Sequence, residues 1–223
     1  MPGFGPVAVG SEAELSPKGS AVAGFAAVVL AGGLGRRMGG SDKPSVLVAG
    51  RSLRDRVLDA LAGADSRVVV GGSGDVPDGV GYTREEPPGG GPVAAVAAGL
   101  AAIGRDSRDA VVVAGDLPLL TASAVSALRE RLSTADGALF VDQDGRRQLL
   151  CGAWRADALR QSVAELARGR AGGLSGASMR ALVRSLDVVE VSWDGAGPPP
   201  WFDCDTDDDL RRVREWLTAE KAG

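Results

Sequence analysis

The sequence predicts an α/β domain built on a mostly parallel, mixed sheet with helices on both faces. Two observations carry this. From residue 25 onward short apolar runs alternate with longer amphipathic stretches, and Val-Val-Val occurs twice, at 68–70 and 111–113. Strands covered on both faces read as near-continuous apolar runs, and strands alternating with helices at this spacing form βαβ units. The length agrees: 223 residues, 44% hydrophobic and 24% charged, suffice for one domain with a sizeable core and argue against a wholly disordered chain.

Residues 1–22 are rich in Pro, Gly, Ser and Ala without periodicity and read as a flexible leader, with the domain spanning 23–223. Strands are expected at 25–31, 67–71, 110–115, 137–141 and 186–192. Helices are expected at 53–62, 93–103, 122–132, 155–167 and 207–220. Thr121 and Thr206 stand where N-caps of two of these helices belong. Residues 139–141 and 148–153 flank Asp142-Gln143-Asp144-Gly145, a hairpin that breaks the parallel order. Pro198-Pro199-Pro200 is a short stiff loop, and no internal repeat is present.

Composition excludes several functions. A net charge of −4 argues against a broad basic surface for nucleic acid. The longest apolar runs are far too short to span a membrane. No basic segment followed by an apolar stretch and cleavage site opens the chain, so a cytoplasmic location is expected. There is no histidine and no asparagine. That removes Ser-His-Asp and Cys-His nucleophilic mechanisms and His-ligated zinc. The two cysteines, Cys151 and Cys204, make neither a zinc site nor a disulfide framework. Lysine is scarce too: Lys18, Lys43 and Lys221 stand against 22 arginines, which makes Lys43, away from both ends, conspicuous.

The first strand runs directly into Gly32-Gly33-Leu34-Gly35-Arg36-Arg37-Met38-Gly39-Gly40-Ser41-Asp42-Lys43. Such a turn lets backbone amides approach an anion, and two arginines and a lysine add matching charge, so polyphosphate is the natural guest. The plainer alternative is a glycine-rich strand exit with exposed arginines. The spacing is not that of a Walker A loop, and Met38 occupies the third glycine position of a dinucleotide fingerprint. Asp116 ends another apolar strand, at the strand end where α/β folds bind ligands. A carboxylate beside phosphates calls for a bridging cation, which points to Mg²⁺. On its own, Asp116 reads equally well as a turn or cap residue.

Leu30-Ala31-Gly32-Gly33, with Arg37-Met38-Gly39 and Asp42-Lys43, resembles the signature of the molybdenum cofactor guanylyltransferases and, more broadly, of sugar-phosphate-type nucleotidyltransferases. Pro88-Gly89-Gly90-Gly91-Pro92-Val93-Ala94-Ala95, Gly115-Asp116-Leu117-Pro118 and Asp203-Cys204-Asp205-Thr206 with Asp208-Asp209-Leu210 are similar to later segments of that family, in its order. The resemblance spans roughly residues 25 to 217. It implies a Rossmann-like nucleotidyltransferase fold and Mg²⁺-dependent transfer of GMP from GTP to molybdopterin or another phosphorylated acceptor. It implies nucleotide contacts from Leu30, Ala31, Gly32, Gly33, Lys43, Gly71, Glu85, Gly91, Pro92 and Asp116.

In this reading Lys43, with Arg37 second and Arg36 behind it, neutralises the triphosphate as pyrophosphate leaves. Asp116 and, by resemblance, Asp205 hold the metal. Glu85 takes the place of an aspartate that helps read guanine. Gly71 stands where some members carry a base- or ribose-contacting asparagine. Asp203 and Asp205 replace the late Asn-x-Asn. Arg147, Gln148, Arg155 and Arg180 are candidates for the acceptor side, with surface ion pairing as their alternative. Alternatives to the whole reading are cytidylyl transfer to the pterin, guanylyl transfer to a small phosphorylated acid, or a non-catalytic nucleotide-binding protein. A cofactor-delivery protein would instead partner molybdoenzymes or other cofactor-handling proteins.

Overall fold

β1 (Phe25–Leu30) has six residues and every one is buried in the computed structural model, which describes residues 24–32, 46–195 and 197–220. Its side chains alternate between two cores, as the two-residue period of a strand demands. Val28 and Leu30 join one, while Phe25, Ala27 and Val29 join the other. β1 pairs in parallel with β4 (Ser66–Val70) on one edge and with β6 (Asp109–Ala114) on the other. β5 (Gly81–Thr83) extends the sheet beyond β4, again in parallel. On the far side follow β8 (Arg147–Arg155), β7 (Gly137–Val141) and β9 (Val188–Ser192), giving the order β5-β4-β1-β6-β8-β7-β9. Within this sheet β8 alone runs antiparallel, to both β6 and β7. It is the returning arm of the hairpin expected around Asp142–Gly145.

Helices cover both faces. α1 (Leu53–Ala60) and α3 (Ala122–Glu130) place Val57, Leu58, Val125 and Leu128 on the core that holds Ala27 and Val29. α2 (Pro92–Ala102), α4 (Ala156–Arg168) and the short α5 (Met179–Leu182) place Val96, Leu100, Leu159 and Leu182 on the other. α6 (Asp207–Glu220) packs Leu210 and Val213 against Val48, Leu53 and Leu119. It thereby closes over the small hairpin β2 (Leu47–Val48) and β3 (Arg51–Ser52). No helix among the described residues is long and apolar enough to cross a membrane.

Thr121 and Thr206 act as the caps the sequence suggests: their hydroxyls accept from the amides of Ala124 (3.1 Å) and Asp209 (3.2 Å). Two readings are corrected. Arg155 is the last residue of β8 rather than the first of a helix, because β8 passes into α4 without an intervening turn. The strands β2, β3 and β5 and the helix α5 have two to four residues each, too short to show a period. The leader expected at 1–22 and the part of the glycine-rich segment that carries Gly33, Arg36, Arg37 and Lys43 lie outside the described residues.

Trp154 is wholly buried and lies flat across two glycines. A Cβ on Gly137 would sit 2.3 Å from its ring, and one on Gly152 would sit 2.9 Å away. The sheet thus makes room for the largest core side chain by omitting its neighbours' side chains. Trp154→Ala is expected to lower the free energy of unfolding by about 3–5 kcal/mol in urea or guanidinium titrations.

Candidate active site

The carboxyl ends of β5, β4, β1 and β6 lie side by side at one edge of the sheet. The chain leaves β1 toward β4 and β5, then crosses back to β6 on the opposite side, so the strand order reverses between β1 and β6. In open α/β sheets the crevice at that reversal is where ligands bind. Main-chain bonds hold the ends level: Gly115 N–H donates to Leu30 O, and Ala31 N–H to Val70 O, both at 2.9 Å. Beyond β4, Gly71 N–H donates to Thr83 O at 3.0 Å. Glu85, Gly71, Ala31-Gly32 and Asp116 therefore stand in a row across four adjacent strands, about 14 Å at the usual interstrand spacing.

At the centre of the row the backbone itself is the wall. Gly71 has φ +82°, and a Cβ there would come within 2.7 Å of Gly32 Cα and 2.8 Å of Gly32 N. No side chain fits, so the Gly71 position can offer main-chain groups alone. Leu30 and Ala31 also contribute only backbone, since their side chains belong to the two cores.

The Glu85 carboxylate closes one end of the row. Its Oε1 accepts from Gly89 N–H at 3.0 Å, and both oxygens lie 3.8 Å from where a Cβ on Gly32 would be. That bond ties the Pro87–Gly90 turn to the strand end. Gly91 (φ +91°) and Pro92 then start α2, whose first turn has no side-chain cap. Its leading amides are left as donors at the same crevice region, available to an anion or a polar acceptor.

Asp116 stands at the other end of the row and is half-buried. Its carbonyl accepts from Cys204 N–H at 3.2 Å, which brings the 203–205 segment against the end of β6. Asp203 and Asp205, on either side of buried Cys204, are exposed. The segment is fixed from behind by Asp209, whose Oδ2 accepts from Asp205 N–H (3.1 Å), Thr206 N–H (2.9 Å) and the Thr206 hydroxyl (2.7 Å). Desolvation acts to raise the Asp209 carboxyl. Those hydrogen bonds and the charge of Arg212 outweigh it and hold the group below its ordinary value.

Among the described residues no three carboxylates or thiols gather as a ready metal cage. Mg²⁺ does not require one: it takes one or two carboxylates, keeps water and completes its shell with substrate phosphates. The donor chemistry of Asp116, with Asp205 in the segment bonded to it, fits that demand.

Three acceptor-side candidates have partners within the fold. Arg155 pairs with buried Asp109 at 3.3 Å, at the amino end of β6 and so at the opposite edge of the sheet. Arg147 lies at the crevice edge but reaches across β7 to Glu190 at 2.7 Å. Gln148 bonds Asp142 and the Arg146 carbonyl within the hairpin. Arg180 stays exposed on α5, four residues beyond Gly176, whose amide donates to Gly90 O. The sequence reading passed over Tyr82 and Arg84. Arg84 donates to Gly72 O at 2.7 Å and to the Tyr82 hydroxyl. Alternation along 82, 84 and 85 is the signal that could have separated them from Glu85.

A glycine-walled crevice at the switch point of a doubly wound sheet, with carboxylates at its two ends, defines a nucleotide-handling α/β protein. The family model described as the MobA-like NTP transferase domain matches residues 27–189. The chain belongs to that family and is a nucleotidyltransferase. It is 29% identical over 206 residues to the molybdenum cofactor guanylyltransferase of Bradyrhizobium sp. (strain ORS 278), covering 86% of this chain and 93% of that protein. It is 34% identical over 185 residues to the probable molybdenum cofactor guanylyltransferase of Mycobacterium bovis (strain BCG / Pasteur 1173P2), covering 80% of this chain and 87% of the relative. The fold is shared with molybdopterin-guanine dinucleotide biosynthesis protein A from Archaeoglobus fulgidus. That match has a TM-score of 0.66 at 21% identity and covers 87% of this chain and all of that one.

Two outcomes follow. Gly71→Ala forces a left-handed alanine against Gly32 and is expected to lower stability by at least about 1–2 kcal/mol, read by denaturant titration. Asp209, depressed in the native state, adds stability that is present above its unfolded value and lost as pH falls through the native one. Asp209→Ala should therefore be less stable than the unaltered protein at neutral pH, with the gap closing in acid.

Proposed function

We propose that the protein transfers GMP from GTP to the terminal phosphate of molybdopterin, in a Mg²⁺-dependent reaction that releases pyrophosphate. The observation that carries the reading is the row of strand ends: a carboxylate that can accept from guanine N1–H and the exocyclic amine at one end, a glycine wall between, and Asp116 at the other. Guanine lies at Glu85, the sugar and α-phosphate along Gly71 and Gly32, and the β- and γ-phosphates toward Asp116. The named activities of the relatives support GTP and molybdopterin as the pair.

An oxygen of the acceptor phosphate attacks the α-phosphorus of GTP as the bond from that phosphorus to the bridging oxygen of pyrophosphate breaks. The attacking group is already an anion, so no general base is needed, in keeping with a chain that has no histidine. Catalysis is then positioning and charge neutralisation. Glu85 orients the base. Gly71 and Gly32 let the ribose and α-phosphate lie against main chain. Lys43, with Arg37, balances the charge that builds on the leaving pyrophosphate. Asp116 and Asp205 would hold Mg²⁺, which supplies countercharge to the phosphates when bound.

Calorimetric titration with GTP, CTP and ATP, each with and without Mg²⁺, tests the reading. Mg²⁺-dependent binding of GTP alone is expected. Preference for CTP overturns the base assignment, and absence of nucleotide binding overturns the whole. Asp116→Ala and Lys43→Ala should each keep the fold by circular dichroism and lower turnover by a factor on the order of 10²–10³. Near-normal turnover in either variant removes that residue from the mechanism.

A further inference from the structure

Gly71, Gly72 and Gly74 all have positive φ, at +82°, +73° and +82°, so the turn after β4 carries little stiffness of its own. It is nevertheless the element that sets the distance from Gly71 to Gly32. What fixes it comes from β5 and the residues just after. Arg84 donates through Nη2 to Gly72 O at 2.7 Å and through Nε to the Tyr82 hydroxyl, which itself lies 3.4 Å from the same carbonyl. The ring of Tyr82 lies under Gly74, where a Cβ would meet it at 3.2 Å. Tyr82 and Arg84 are two residues apart and share one side of the extended chain, whereas Glu85 takes the other. Arg84 is exposed and lies at the surface, on the outer side of the turn.

We infer that Arg84, braced by Tyr82, is a positioning residue that latches the Gly71–Gly74 turn against Gly32 and so sets the base-side wall of the nucleotide crevice. The inference rests on the nucleotide reading above. The latch holds Gly72 O outward, which keeps Gly71 pressed on Gly32 and leaves the adjacent Glu85 carboxylate at its place beside Gly32. Arg84 itself touches neither base nor phosphate in this assignment. Lysine in its place would keep a donor for Gly72 O but lose the second bond to Tyr82, because a single ammonium lacks the guanidinium fork.

The test compares the full-length protein with Arg84→Ala, Arg84→Lys and Tyr82→Phe. The readouts are GTP binding by calorimetry with Mg²⁺ present, amide hydrogen exchange at 71–74 in the absence of nucleotide, and thermal unfolding. Arg84→Ala is expected to weaken GTP binding about tenfold, the scale of one charge-assisted hydrogen bond. Exchange at 71–74 should speed up several-fold while the unfolding temperature holds, since the side chain is exposed. Arg84→Lys should recover part of both losses, and Tyr82→Phe should fall between. Unaltered GTP affinity or unaltered exchange in Arg84→Ala overturns the latch alone. Failure of the unaltered protein to bind GTP overturns the nucleotide reading and the positioning role with it.

Discussion

Burial of β1 on both faces is the constraint on which the rest depends. A strand that serves two cores and pairs on both edges cannot slip, because a shift of one residue would exchange Val28 and Leu30 with Ala27 and Val29 between cores of different shape. Register with β4 and β6 is therefore fixed along the whole strand. The positions of Ala31 and Gly115 at its end follow from that register. Gly99 serves the same packing from the helix side. A Cβ there would lie 2.3 Å from Val28 Cγ1, so its absence lets α2 sit low enough for Gly91 and Pro92 to reach the strand ends.

Where the chain leaves this lattice, backbone replaces side chain. Asparagine tolerates a left-handed conformation better than most residues, yet even asparagine at position 71 would drive its Cβ to 2.7 Å from Gly32 Cα. The geometry here excludes a side chain at this position and leaves it main-chain groups alone. Side-chain chemistry is pushed to the two ends of the row, to Glu85 and Asp116. Glu85 is tied to its place through Gly89 N–H, and the Asp116 carbonyl accepts from Cys204 N–H.

Elements whose stability is written into consecutive residues were legible in the sequence. β1, β4 and β6 are apolar runs because both faces are covered, and Thr121 and Thr206 are caps because their partners lie three residues away. The strand-end placement of Asp116 followed from the same runs, whereas Glu85 was reached through the family resemblance because β5 is too short to show a period. What escaped depends on distance along the chain. Arg147 looks like any surface arginine until folding brings Glu190, 43 residues later, against it. Arg155 is explained by Asp109, 46 residues earlier, and Arg84 by a carbonyl 12 residues back. Charge and spacing identify such residues as polar and stop there, since the partner is chosen by sheet order.

Electrostatics then limits what the crevice can accept. One end carries Asp116 with exposed Asp203 and Asp205 in the segment bonded to it, followed by Asp207, Asp208 and Asp209 in the first turn of α6. The α6 dipole and the Thr206–Asp209 bonds explain why the last three are tolerated there. A polyphosphate approaching that end meets like charge, and each pair of unit charges about 4 Å apart costs roughly 1 kcal/mol in water and about 4 kcal/mol near a protein surface. A neutral or cationic ligand would face no such barrier, so an anionic substrate requires countercharge delivered with it or from the glycine-rich segment. The segment that follows β1 in the sequence carries Arg36, Arg37 and Lys43, three of the 25 basic residues in a chain of net charge −4. These three residues, directly after β1 in the sequence, are a source of the countercharge that a polyanion at this site requires.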